Sequence, residues 1–426
     1  MKDTIFALSS GAPPAAIAVI RVSGAKALRA LEQLAGAAPA PRTMSLRTIR
    51  NPETGEVLDR GLIAVFPAVT SVTGEPLAEL HLHGSRAIVE AVENVLAGME
   101  GVRRARAGEF TWRAFENGRI DLVQVESLSD LLRAETESQR RAAMAEEGLS
   151  GEVERWRGAL LHLSALVEAA LDQSDEDDVP TDRTEIDRIG SRLAAVIGSM
   201  LDRPGAERLF DGIRVVFAGP PNSGKSTLIN ALSGREVAIT SPIAGTTRDV
   251  IEAPVKLGGV AFVLTDTAGL RAESGDPIER IGIERAHRRI EEADLVVWMD
   301  DGPPPHDEAA KVIRIFPRAD ERRVRASADE LPVSAVTGEG LAALTHLLIE
   351  RGRALLPREG EVALSRRQRE HLSRCHASLA EFQNESDELI AAEHLRQARQ
   401  ALDELTGRAG TEEMLDALFA TFCVGK

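Results

Sequence analysis

The residues whose types and spacing point most directly to chemistry lie mid-chain, in Gly219-Pro220-Pro221-Asn222-Ser223-Gly224-Lys225-Ser226-Thr227. They fit G-x-x-x-x-G-K-S, follow an apolar run predicted as a strand (Ile213–Ala218), and open a predicted helix with Leu228, Ile229 and Leu232 on one face. In that context the backbone N–H groups and the helix start cradle phosphates. Lys225 reaches the β- and γ-phosphates, and the Ser226 hydroxyl ligates Mg²⁺. Downstream, a predicted strand over Val260–Leu264 leads into Asp266-Thr267-Ala268-Gly269, an acidic residue for the metal shell and a glycine that lets backbone close on the γ-phosphate. Between them, Gly245-Thr246-Thr247-Arg248-Asp249 offers hydroxyls to the same shell. In this order the three motifs point to a Mg²⁺-dependent GTPase, and such loops order on the triphosphate.

Two departures carry information. Leu270 follows Gly269, where Ras-like proteins place a water-orienting glutamine, so water positioning must come from elsewhere. The base-reading loop, usually Asn-Lys-x-Asp, is Pro317-Arg318-Ala319-Asp320 after a strand predicted over Val312–Phe316. Asp320 keeps the carboxylate that accepts from guanine, and Ser334-Ala335 after Leu331–Val333 matches the second guanine-contacting loop.

The rest of the chain must position these loops. Its 426 residues suffice for roughly two to three domains. Residues 1–118 alternate strand-like runs (Ala16–Val22, Leu62–Phe66, Leu77–Leu82) with helical ones (Ala25–Leu34, Arg86–Leu96), an α+β domain in which His81 and His83 share one strand face. Residues 119–211 carry apolar stripes at helical spacing, interrupted by the acidic run Asp172–Asp178, which reads as a solvated loop. Residues 212–353 hold the α/β nucleotide domain, and 354–426 return to a helical pattern. Helices on both sides of an α/β segment predict one discontinuous helical domain with the G domain inserted. The fold class is therefore α/β and α+β multidomain.

With 51 Lys and Arg against 67 Asp and Glu, the net charge of −16 argues against broad electrostatic capture of nucleic acid. No apolar run approaches the roughly 20 residues of a membrane span. Two cysteines, Cys375 and Cys423, make no disulfide framework, so a cytoplasmic location is expected.

Motifs spread over the whole length resemble one family. They are Val19-Ile20-Arg21-Val22-Ser23-Gly24, Gly108-Glu109-Phe110-Thr111, Asn117-Gly118-Arg119-Ile120-Asp121-Leu122, the Gly245–Asp249 loop, Glu279-Arg280-Ile281-Gly282-Ile283-Glu284, and Phe422-Cys423-Val424-Gly425-Lys426. Together they resemble the MnmE (TrmE) family of tRNA-modification GTPases. The resemblance implies a folate-binding N-terminal domain that dimerises, a discontinuous all-α helical domain and an inserted Ras-like G domain. It implies action with the flavoprotein MnmG, as a heterotetramer, to place a carboxymethylaminomethyl-type group on C5 of the wobble uridine of certain tRNAs. A tetrahydrofolate derivative is the implied one-carbon donor, and K⁺ the implied stimulant of GTP hydrolysis when two G domains meet.

Carried over by position, Asn222, Ser241, Ile243 and Thr246 would surround K⁺, and Ser226 and Thr247 would hold Mg²⁺. Pro242, Ala244 and Gly245 complete the nucleotide-facing loop, and Glu279 would orient the water. Arg21, Glu79, Arg119 and Lys426 match the folate site, cations for the glutamate tail and a carboxylate for the pterin's donor edge. Cys423 is a candidate thiolate nucleophile or acid; a small packing residue is the plainer reading. The chain departs from the family at Arg119 (commonly Lys), at Leu82-His83-Gly84-Ser85 (commonly Gly-His-Gly-Gly) and at Gln173 (commonly aromatic). The rival reading is a ribosome- or RNA-associated assembly GTPase, a binding switch that does no chemistry on RNA.

Overall fold

A computed structural model describes residues 3–173, 183–220, 222–234, 252–266, 288–300, 302–304, 311–321, 330–358, 360–409, 418–420 and 422–425. Two compact units emerge, one of residues 1–129 with 406–426, the other of residues 130–405.

The first unit is built on a six-stranded mixed sheet in the order β3-β4-β5-β2-β1-β6. Its strands are β1 (Thr4–Leu8), β2 (Ala15–Ser23), β3 (Ser45–Arg50), β4 (Val57–Phe66), β5 (Leu77–Gly84) and β6 (Val102–Arg104). Side chains alternate faces along a strand, so each strand has one face for the core and one for something else. On β2, Ala18, Ile20 and Val22 are fully buried with Leu80 and Leu82 of β5 and Ile63 and Val65 of β4. Two helices, α1 (Ala27–Ala35) and α2 (Arg86–Gly98), cover that face through Leu31, Leu34, Val89, Val92 and Leu96. Each fully buried apolar side chain contributes roughly 1.5–3 kcal/mol. The opposite face is open: Ile17, Leu46 and Leu62 are 60%, 52% and 40% exposed.

The unit closes with α3 (Glu109–Glu116), α4 (Leu122–Arg133) as far as Ser129, and the C-terminal tail. Phe419 and Phe422 pack with Leu122 and Val125, and Phe115 and Trp112 lie against the same cluster. Val424 bridges Ala107, and Gly425 (φ 99°) sits so close to strand β1 that a Cβ there would lie 2.1 Å from the Leu8 carbonyl oxygen.

In the second unit, α5 (Glu137–Gln173) presents Leu149, Val153, Trp156, Leu160, Leu163 and Val167, all buried. That alternating four-and-three spacing makes a continuous helix seam. The seam packs on α6 (Arg183–Leu201) and α11 (Glu388–Leu405), which both pack on α10 (Arg366–Asn384), so the four form one bundle. Arg157 of α5 donates to Asp403 of α11 at 2.7 Å. Between the bundle's two halves runs α7 (Glu207–Phe210), then the nucleotide domain: β7 (Ile213–Ala218), α8 (Lys225–Ser233), β8 (Glu252–Leu257), β9 (Val260–Asp266), β10 (Leu295–Trp298), β11 (Val312–Pro317), β12 (Leu331–Val333) and α9 (Leu341–Leu355). Its sheet order is β12-β11-β10-β7-β9-β8, with only β8 antiparallel, paired to β9. The start of α5 joins this domain: Ala142 lies in its core, and Gln139 Nε2 donates to the Leu209 carbonyl at 3.0 Å.

The strands predicted over Ile213–Ala218 and Leu331–Val333 are found with those bounds. Strands β1, β3, β6, β8 and β10 have no counterpart in the sequence reading; β6 has three residues, and β8 carries Pro254, a residue tolerated at sheet edges.

Candidate functional site

Parallel strands require crossovers, so their C-terminal ends line one edge of the sheet, where ligands bind in open α/β folds. The nucleotide residues follow this rule. Gly219 leaves the end of β7, Asp266 ends β9, Pro317 ends β11, and Ser334 follows β12. The loop after β7 then turns through two left-handed residues, Asn222 (φ 61°) and Gly224 (φ 93°), before α8 begins at Lys225.

Lys225 is 4% exposed, and its ammonium donates to the carbonyls of Gly219 (3.0 Å) and Pro220 (2.8 Å). A buried cation thus lies within its own loop at the start of a helix, the arrangement that suits an anionic phosphate chain. The Ser226 hydroxyl donates to the carboxylate of Asp266, which is 1% exposed. A hydroxyl and an ionisable carboxyl side by side form an oxygen donor set that fits a hard cation such as Mg²⁺.

Lys225 and Ser226 border a cavity of about 440 Å³. The loop from Asn222 to Thr227 forms one wall, Pro317, Arg318 and Asp320 another, and Ser334 and Ala335 a third. Ser334 is fully buried, and its Oγ accepts from the backbone N–H of Val336 (3.3 Å) and Thr337 (3.1 Å), which fixes the loop after β12. Arg318, itself left-handed (φ 55°), donates from Nη1 to the Asn222 carbonyl at 3.4 Å and pairs through Nε with Glu321 at 3.1 Å. It therefore links the base-side loop to the phosphate loop, although Pro317 offers no side-chain hydrogen bond where asparagine is usual.

In the first unit, Arg21 of β2 and Glu79 of β5 are direct cross-strand partners on the open face, joined at 2.9 Å and 3.1 Å. Glu79 also meets His81 Nε2 at 3.2 Å. That contact, reinforced by the Arg21 charge, outweighs burial and holds the Glu79 carboxyl below the usual carboxylate range. Ionised, Glu79 is an acceptor only, which fits N–H donors such as those on a pterin edge. The exposed Arg119 donates to the Val69 carbonyl at 2.8 Å. Cys423 is exposed, with its carbonyl accepting from Gly108 N–H at 3.4 Å, whereas burial pushes the Cys375 thiol up to about 12.

Comparison with known proteins agrees along the full length. A family model described as "MnmE helical domain" matches residues 122–423, and one described as "GTP-binding protein TrmE N-terminus" matches residues 4–119. Proteins named tRNA modification GTPase MnmE are similar throughout: that of Erythrobacter litoralis is 54% identical, with 100% of both chains covered. Those of Rhizorhabdus wittichii and Novosphingobium aromaticivorans are 53% and 52% identical, covering 100% of this chain and 97% and 100% of their own. The chain belongs to the MnmE family.

For an MnmE chain the geometry brings together part of the expected site. Asn222, Ser223, Gly224, Lys225, Ser226, Thr227, Asp320, Ser334 and Ala335 border one cavity, and Asp266 joins them through Ser226. Ser241, Pro242, Ile243, Ala244, Gly245, Thr246, Thr247, Thr267, Ala268, Gly269, Glu279 and Lys426 lie outside the described residues, as does the acidic run after Gln173. Glu321 escaped the sequence reading, although its place three residues after Arg318 is a visible ion-pair spacing. Among the described residues no helix is long and apolar enough to cross a membrane.

Proposed function

We propose that this MnmE-family chain is a GTP-hydrolysing tRNA-modification enzyme that helps place a carboxymethylaminomethyl-type group on C5 of the wobble uridine of certain tRNAs. In this reading it works in the cytoplasm as a homodimer with a flavoprotein partner of the MnmG kind. The observation that carries the nucleotide half is the single cavity bordered by Lys225, Ser226, Arg318, Asp320 and Ser334.

Lys225 neutralises phosphate charge, and Ser226 with Asp266 and Thr247 provides oxygen ligands for Mg²⁺. Asp320 accepts from guanine N1–H and the exocyclic amine; facing adenine it would leave buried polar groups unpaired. With Leu270 in place of the usual glutamine, Glu279 takes over orientation of the attacking water. Asn222, Ser241, Ile243 and Thr246 take up K⁺, whose charge against the phosphates does what an arginine finger does elsewhere.

On the first unit, Arg21, Arg119 and Lys426 bind the anionic tail of a tetrahydrofolate derivative, and Glu79 binds its donor edge. The bound folate supplies the one-carbon unit. Cys423 acts in modification and not in hydrolysis. We assign residues 1–118 to the folate and dimerisation domain, 119–211 and 354–426 to the helical domain, and 212–353 to the G domain.

Two measurements test this. GTP hydrolysis by the full chain should be much faster in K⁺ than in Na⁺ and should rise per molecule with protein concentration; equal rates in both salts refute the K⁺ assignment. Mass spectrometry of wobble uridines from cells lacking the chain should show the C5 modification gone. Normal uridines there would leave a binding-switch GTPase as the better description.

A further inference from the structure

On the open face of the first unit, Glu79, His81 and His83 stand in a row on alternate residues of β5, spaced by about 7 Å each. Glu79 belongs to the folate reading and His81 contacts it; His83 has had no task. Its imidazole Nδ1 lies 2.8 Å from Asp59 Oδ1, and its backbone N–H donates to Asp59 Oδ2, also at 2.8 Å. Asp59 comes from the neighbouring strand β4, and its side chain is 6% exposed, whereas that of His83 is 70% exposed. The carboxylate therefore grips the residue at two points, fixing both the strand and the rotation of the ring.

This grip has chemical consequences. An acceptor at Nδ1 selects the tautomer with its proton there, leaving Nε2 as the basic nitrogen on the solvent side. Burial alone raises the Asp59 pKa, but the side-chain and backbone hydrogen bonds from His83, with the Arg60 backbone N–H, bring it below the ordinary value. An ionised carboxylate behind the ring stabilises the imidazolium formed when Nε2 takes a proton. The anchorage is stiff: Gly84, next in the chain, approaches Ala15 so closely that a Cβ would lie 2.2 Å from its carbonyl oxygen. A mere brace for the His83 backbone needs only one acceptor, not a buried carboxylate that also holds the ring. Among the described residues no group of three or more His, Cys, Asp or Glu is placed to hold a metal, so the row does not read as a metal site.

We propose that His83, oriented by Asp59, is the proton-transfer group of the folate face. The inference rests on the folate reading above and adds to it the acid–base step. A substrate N–H or O–H gives its proton to Nε2 and keeps the electron pair; the imidazolium later returns that proton to product or water. The Nδ1–H bond to Asp59 stays intact throughout. Asp59 is a positioning residue; on the same face lie His81, about 7 Å along the strand, and beyond it the Glu79–Arg21 pair, while Arg60 follows Asp59 on β4.

The test uses the full chain added to an extract of cells that lack it, with modified wobble uridine as the product. His83→Ala should lower modification by about 10²-fold or more. Because the ring is mostly exposed, added imidazole should restore much of the loss. GTP hydrolysis, and binding of 5-formyltetrahydrofolate as a stable reduced-folate probe, should stay as in the unmodified chain. Asp59→Asn should also lower modification but resist imidazole, with thermal unfolding to check that it is folded. Undiminished modification by His83→Ala, loss of probe binding in step with modification, or a loss untouched by imidazole overturns the inference. If instead the unmodified chain modifies tRNA without binding the probe, the folate reading itself falls, and this inference with it.

Discussion

The nucleotide cavity and the proposed folate face are built on opposite principles. At the cavity, three loops leave the C-terminal ends of strands in one sheet, and each loop carries its own chemistry in consecutive residues. At the folate face, the chemistry lies across strands: Arg21 meets Glu79 and Asp59 meets His83, partners 58 and 24 residues apart. A loop site tolerates change in the sheet beneath it as long as the strand end stays in place. A cross-strand site depends on register, because a shift of one residue would turn Arg21 inward and Ile20 outward.

The largest expected effect tests whether the two sites are separate. Lys225→Ala removes the only described cation held inside the phosphate loop and should lower GTP hydrolysis by about 10²–10³-fold. Binding of a reduced folate, measured by titration, should be unchanged; a parallel loss would mean that the sites are not independent.

The reciprocal change is Arg21→Ala. It deletes a charge-assisted contact worth about 1.5–3 kcal/mol, so folate affinity should fall about 10- to 100-fold while phosphate release from GTP continues. Unchanged folate affinity would remove Arg21 from the site.

Within the cavity, Asp320→Asn should move preference from GTP towards XTP by about tenfold or more, read by nucleotide titration. ATP binding as tightly as GTP in the unmodified chain would show that Asp320 does not read the base. The link from Arg318 to the Asn222 carbonyl predicts that base and phosphate loops loosen together, so Arg318→Ala should speed nucleotide release.

A last effect concerns stability in the first unit. Burial opposes ionisation of Glu109, but bonds from Arg103, the Arg106 backbone and Arg113 dominate and bring its pKa to about 2. Its folded pKa is depressed, so the stabilisation is present above the unfolded value near 4.5 and is lost as pH falls through about 2. At neutral pH that is about 3 kcal/mol. Glu109→Gln should lower the melting temperature at pH 7, and the gap from the unmodified chain should narrow between pH 5 and pH 3. A gap that does not change with pH would assign the loss to packing.

The same contrast decides what the sequence discloses. Gly219–Ser226, Asp266 and Ser334-Ala335 are legible because a phosphate loop must be contiguous and must follow a strand, so spacing carries the geometry. Helix α5 is legible in its stripe, since one face of a helix repeats within a few residues. Arg21 and Glu79 gain their roles only through the family resemblance, because no local pattern says which strand pairs with which. Asp59 is silent for the same reason: its value lies in a partner on the next strand. Strand β1 is buried on both faces and so shows no alternation, and β1 and β6 each become strands only by pairing with a distant segment.

Gly425 against Leu8 has a consequence for how the chain is made. The first strand and the last residues belong to one unit, separated by everything from Asp130 to Leu405. A ribosome adding roughly 5–20 residues per second needs about 20 to 80 s to travel between them. For that interval the N-terminal sheet waits with its β1 flank uncovered, and it is finished only when the residues up to Gly425 have been made. A chain cut short anywhere before the tail cannot complete the unit that begins it.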